Sequence, residues 1–110
     1  MRTVLCYGDS NTWGFDPARQ RRFPRELRWP GCLQAALGAD WHVVEEGLNG
    51  RTTTLDSPLA PGKNGLTYLV PCLDSHAPLD CVVIYLGTND LAKRYAMTAT
   101  ACTNSNACRI

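Results

Sequence analysis

Three short apolar runs constrain this chain more than any other feature. Val4–Tyr7, Trp41–Glu45 and Cys81–Leu86 are rich in β-branched, aromatic and aliphatic residues, and each stops at a polar block containing glycine. The first shows no polar–apolar alternation, the pattern of a strand buried on both faces of a parallel sheet, and the third is the strongest strand signal. Between the runs lie stretches with helical spacing. Trp29-Pro30 opens one, with Pro30 in the first turn, Leu33, Ala36 and Leu37 on one face and Gly38 as C-cap. Gly65–His76 is the other, through Leu66, Leu69, Val70 and Leu73, with Pro71 predicted to bend or break it. Strand, helix, strand, helix, strand is the α/β alternation that builds parallel sheets with helical crossovers. Gly8–Asn11 reads as a turn, residues 17–28 as a basic surface loop and residues 48–64 as a long loop, while Leu91–Tyr95 would open another helix.

Composition sets the class. One hundred and ten residues, 45% hydrophobic and 19% charged, suffice for a single domain with a core. A net charge of +1 gives no electrostatic case for nucleic acid or a membrane surface. No apolar run approaches the ~20 residues needed to cross a bilayer, and the start does not read as a secretory signal. The expected compartment is the cytoplasm, with no nucleic-acid or membrane partner. Six cysteines suggest a disulfide scaffold, but their positions argue otherwise. Cys6 and Cys81 sit in apolar runs as small buried hydrophobes, Cys32 and Cys72 on predicted helices, and Cys102 and Cys108 in a polar segment. There is no Cys-x-x-Cys, and neither His42 nor His76 stands near a cysteine at finger spacing. Reduced thiols, no structural metal and no cofactor are expected. Residues 96–110 lack any acidic residue, Leu or Val, and read as an aberrant or disordered tail after a domain portion spanning residues 1–95.

The strand ends hold the chemistry. Ligands of open α/β sheets bind outside the carboxyl ends of the strands, and the loops there carry Ser10, Gly50 and Asn89. In Gly8-Asp9-Ser10-Asn11-Thr12-Trp13-Gly14, a serine directly after a buried strand presents its Oγ at the sheet edge, as a nucleophile requires. The same residues equally make a surface turn with local Asx-type bonds, Asp9 bracing it. Gly50 can bring its N–H close to a ligand, and Asn89 offers an amide donor. Singly, these are also an ordinary loop glycine and a turn or N-cap residue. Jointly, Ser10 N–H, Gly50 N–H and the Asn89 amide form a donor set for a developing oxyanion. Arg51 reads as a surface ion pair before a substrate contact, Arg19, Arg21, Arg22, Arg25 and Arg28 as a solvated loop or subunit contact, and Trp13, Trp29 and Trp41 as packing residues or pocket walls.

In this order, Gly8-Asp9-Ser10, the Glu45–Thr54 block with Gly50, and Gly87-Thr88-Asn89-Asp90 resemble the SGNH-hydrolase (GDSL esterase/lipase) superfamily, most closely its bacterial arylesterase and acyltransferase branch. The resemblance runs from about Thr3 to Tyr95. It implies a flavodoxin-like, three-layer α/β/α sheet with helices on both faces, of which this chain is the N-terminal part. It also implies a small-molecule ester substrate, Ser10 as nucleophile, the oxyanion donors named above, and Asp9 and Trp13 on the substrate side, Trp13 lining the acyl pocket. Homo-oligomers occur in that branch. One departure matters: the family's Asp-x-x-His pair is missing, since His42 falls in a strand and His76 ends a helix, both expected to be structural or solvated. The chain is therefore expected to be an impaired esterase that exposes sheet edge and aggregates. The alternatives are a flavodoxin-like module binding a small ligand, such as a phosphate or nucleotide, or an inactive truncated product.

Overall fold

The computed structural model describes residues 1–92. In chain order the elements are β1 (Arg2–Gly8), α1 (Ser10–Trp13), β2 (Phe15–Asp16), β3 (Arg21–Arg22), α2 (Trp29–Leu37), β4 (Trp41–Gly47), α3 (Gly65–His76) and β5 (Cys81–Tyr85), with short 3-10 turns at Arg25–Leu27 and Thr88–Leu91. β1 lies between β4 and β5, all parallel. Its side chains alternate between two buried faces. Val4 and Cys6 pack with Val43 under Trp29, Leu33 and Leu37, so α2 covers that face. Leu5 and Tyr7 pack with Cys72 and Leu86, and Leu69 and Leu73 bring α3 onto the other. The unbroken apolar run of β1 is thus a strand sandwiched between helices, and the layers are α/β/α.

Several local expectations change. Gly8–Asn11 is not a free turn: Ser10 begins α1, because Asp9 caps it, its Oδ1 accepting from Asn11 N–H at 2.9 Å and its carbonyl from Trp13 N–H at 2.9 Å. The basic segment holds the antiparallel pair of β2 and β3 and a 3-10 turn. Arg22 Nε donates to Trp13 O at 2.7 Å, and Arg25 and Arg28 both pair with Glu45. Two of its arginines therefore staple the loop to the sheet and a third ties it to α1, rather than serving only solvent. α3 runs unbroken through Pro71, whose fixed φ suits a helix and whose missing N–H removes a single bond. Only Leu69 and Leu73 of its predicted apolar face turn inward, with Leu66 and Val70 exposed. Cys81 is also exposed rather than buried, because β5 has β1 as its one neighbour among the described residues. Of the helix expected over Leu91–Tyr95, the described part is the end of a 3-10 turn. Residues 93–110, with the predicted tail and its two cysteines, lie outside the described residues.

Candidate active site

Register fixes where the loops start. Gly47, Gly8 and Tyr85 stand opposite one another at the carboxyl ends of β4, β1 and β5, a row spanning roughly 10 Å at ordinary strand spacing. Ser10, Gly50 and Asn89 follow two, three and four residues later, so the fold brings the three predicted blocks to one rim. The glycines permit α1 to lie across that rim. A Cβ on Gly8 would sit 2.0 Å from Thr12 Oγ1, and one on Gly47 would sit 2.2 Å from Trp13 N.

Ser10 is half-buried at the first position of α1. That position leaves its N–H without a carbonyl one turn back in the helix, as an oxyanion donor must be. Asp9, 1% exposed, is the cap beneath it, and its Oδ2 is buried with no hydrogen-bond partner among the described residues. Trp13 is half-buried, with the Arg22 guanidinium 4.7 Å over its ring. Trp29 Nε1 donates to Thr12 Oγ1 at 3.1 Å, tying α2 to α1.

The second and third blocks are laced together. Leu48–Arg51 is a tight turn closed by Arg51 N–H to Leu48 O at 3.1 Å, and Gly50 occupies its left-handed position with φ +79°. Arg51 corrects the surface reading: it is 3% exposed, donates to Gly8 O at 2.9 Å and to Glu46 O at 2.6 Å, and lies 4.0 Å over the Tyr7 ring. Asn89 Nδ2 in turn donates to Arg51 O at 2.9 Å. One of its two amide hydrogens is used there. Buried Asp90 clamps the same two loops, accepting from Thr53 N–H at 3.0 Å and Thr53 Oγ1 at 2.6 Å. Arg51, Thr53 and Asp90 are site-building residues that pattern reading missed. What holds Arg51 is the Tyr7 ring face and strand-end carbonyls, which no local motif displays.

No hydrogen bond joins either histidine to Ser10 among the described residues. His42 pairs with Thr3 at the amino end of β4, five residues before Gly47, and so roughly 17 Å down the strand from the rim. His76 Nε2 lies 2.9 Å from Glu46 Oε1. Tyr68 OH donates to the same oxygen at 3.3 Å, and Cys72 lies beside them. Burial first, and then the Glu46 charge, push the Cys72 thiol up to about 11, so it stands protonated as a donor. Burial pushes Tyr7, whose hydroxyl donates to Gly65 O at 2.6 Å, up to about 12 despite the nearby Arg51.

The family model described as GDSL-like Lipase/Acylhydrolase family matches residues 6–107. A carbohydrate acetylesterase family member from Sinorhizobium meliloti is 50% identical, with a TM-score of 0.85, over 94% of this chain and 49% of that one. The native aryl esterase of M. smegmatis is 48% identical, with a TM-score of 0.86, over 89% and 47%. The more distant AlinE4, an SGNH-hydrolase family esterase, is 25% identical, with a TM-score of 0.64, over 94% and 48%. The chain thus spans about half the length of the solved structures it matches. No curated protein matches it.

Proposed function

The chain belongs to the GDSL-like lipase/acylhydrolase family, and from that premise we propose that it carries the nucleophile and oxyanion donors of a carboxylic ester hydrolase of the arylesterase type. Ser10 Oγ bonds to the acyl carbon of a small ester and the alcohol or phenol leaves. The acyl group then passes from Ser10 to water or to an acceptor alcohol. Ser10 N–H, Gly50 N–H and the Asn89 amide surround the carbonyl oxygen as charge develops on it. Asp9 holds the capped turn that presents Ser10, and Trp13 lines the acyl side.

The observation that carries this reading is the lacing of the rim. Arg51 reaches Gly8 O with its guanidinium and receives Asn89 with its carbonyl, so the loops after β1, β4 and β5 are held as one unit. Preorganised donors of this kind stabilise a transition state without reorganising during the reaction. Ser10 also needs a base for its proton; His42 lies at the far end of β4 and His76 is held by Glu46. The 110-residue chain is therefore a slow hydrolase, resting on the roughly 10³–10⁴-fold over water that an oxyanion hole and binding retain without a full triad.

A fluorophosphonate probe followed by peptide mass spectrometry tests the assignment. The expected adduct sits on Ser10, forms slowly and disappears in Ser10→Ala. An adduct on another residue, or none after prolonged exposure of folded protein, removes the proposal. Rapid aryl-acetate turnover by pure chain, abolished by Ser10→Ala, would keep the nucleophile but contradict the missing base.

A further inference from the structure

We propose that Glu46, Cys72 and His76 form a binding site for a borderline-soft divalent cation of the Zn²⁺ type, separate from the ester chemistry at Ser10. Such a site needs no finger spacing. Cys72 and His76 are four apart on α3 and so project from one helix face, and Glu46 meets them from the carboxyl end of β4. One donor atom from each of the three residues lies within 4.8 Å of the others, and Glu46 Oε1 is 2.9 Å from His76 Nε2.

Those separations suit a metal. Zinc bonds of about 2.0–2.3 Å to O, N and S place neighbouring ligand atoms of a tetrahedron roughly 3.3–3.6 Å apart. The Glu46–His76 pair has to open by a few tenths of an ångström, and the widest separation, up to 4.8 Å, has to close by about 1 Å, both through side-chain rotation. A thiolate, an imidazole and a carboxylate favour Zn²⁺ over Mg²⁺ or Ca²⁺, which take oxygen ligands. Three protein ligands leave a fourth position for water.

Access and charge agree. The His76 and Glu46 side chains are 32% and 20% exposed, while Cys72 is fully buried behind them, so an ion enters past the first two and is seated by the third. On binding, Cys72 gives its proton to solvent and His76 coordinates as the neutral ring. The carboxylate and thiolate then balance the dication. Arg51, the cation stacked at 4.0 Å on Tyr7 and at 5.5 Å on Tyr68, faces a neutral site. Tyr68 OH, already on Glu46 Oε1 at 3.3 Å, steadies the carboxylate. The ion would pin α3 to β4.

Titration of reduced, chelator-treated 110-residue chain with Co²⁺, followed by displacement with Zn²⁺, tests this. The expected result is one equivalent of Co²⁺ with a thiolate charge-transfer band in the near ultraviolet, bleached by Zn²⁺. Cys72→Ala should lose the band. His76→Gln, at a partly exposed position where circular dichroism checks the fold, should weaken binding by at least the roughly 10–100-fold that even outer-shell partners contribute. Cys32→Ser, and the pair Cys102→Ser with Cys108→Ser, should leave band and stoichiometry unchanged. Absence of one-to-one binding by folded chain, or a band that survives both Cys72→Ala and His76→Gln, overturns the proposal.

Discussion

Arg51 connects more of the rim than any residue a motif would select. Its guanidinium bonds the carbonyls of Gly8, which ends β1, and Glu46, next to last in β4; it lies over Tyr7, and its own carbonyl holds Asn89. Arg51→Met keeps much of the stem but removes the charged donor from Glu46 O and from Gly8 O, which keeps Leu48 N–H, and takes the cation off the ring. A loss of about 2–4 kcal/mol in urea unfolding is expected, and a change under about 0.5 kcal/mol, as at ordinary surface positions, would refute the role. Ser10, Gly50 and Asn89 were legible because each belongs to a short local motif at a strand end. Arg51 was not, because what buries it is Tyr7 and Gly8, more than forty positions away in sequence. The buried donors also set an alkaline limit. Burial raises Cys6 and Cys72 from 9.0 to about 11 and Tyr7 from 10.0 to about 12. The folded chain therefore keeps protons that the unfolded chain gives up, so their contribution to stability is present below about pH 9 and drains away as pH rises through 11 to 12. Urea midpoints at about pH 8 and pH 10.5 should show the decline, shallower in Cys6→Ala; a flat profile would contradict it.

At the scale of elements, α1 matters most, a helix of four residues held by the Asp9 cap and pressed onto two glycines. Gly47→Ala drives a methyl into the Trp13 backbone, which has no flexible end to move aside. The expected cost is about 1–3 kcal/mol, the range for overpacking, with slower fluorophosphonate labelling of Ser10 as α1 shifts. Unchanged stability and labelling would mean that α1 is not seated there. The three sheet strands and the two longer helices could be read from apolar period and length. α1 could not, since four residues carry no period and a cap is also a turn signal. Pro71 misled for a related reason: a proline removes one hydrogen bond, and packing of Leu69, Cys72 and Leu73 on the sheet outweighs it.

For the whole molecule, the exposed strand decides behaviour. The sheet order puts β5 at an edge of the described residues, where Val82 is 37% and Tyr85 48% exposed. An uncovered apolar edge is a template for another chain. The 110-residue chain should therefore self-associate with rising concentration in sedimentation velocity, and Val82→Lys should shift it toward monomer. A monomer across the whole accessible range would sink that expectation. The Glu46, Cys72 and His76 cluster belongs to this scale as well, since no local pattern joins a strand end to a helix face thirty residues later. The account turns on whether Ser10 and Asn89 act on one carbonyl oxygen. The most direct measurement is the rate at which an aryl acetate acetylates Ser10, followed by intact-protein mass spectrometry in the parent chain and in Asn89→Ala. A loss of one donor costs about 2.7–4 kcal/mol, so Asn89→Ala should acetylate Ser10 about 10²–10³-fold more slowly while remaining folded. Equal rates in the two proteins, or acetyl found on a residue other than Ser10, would contradict it.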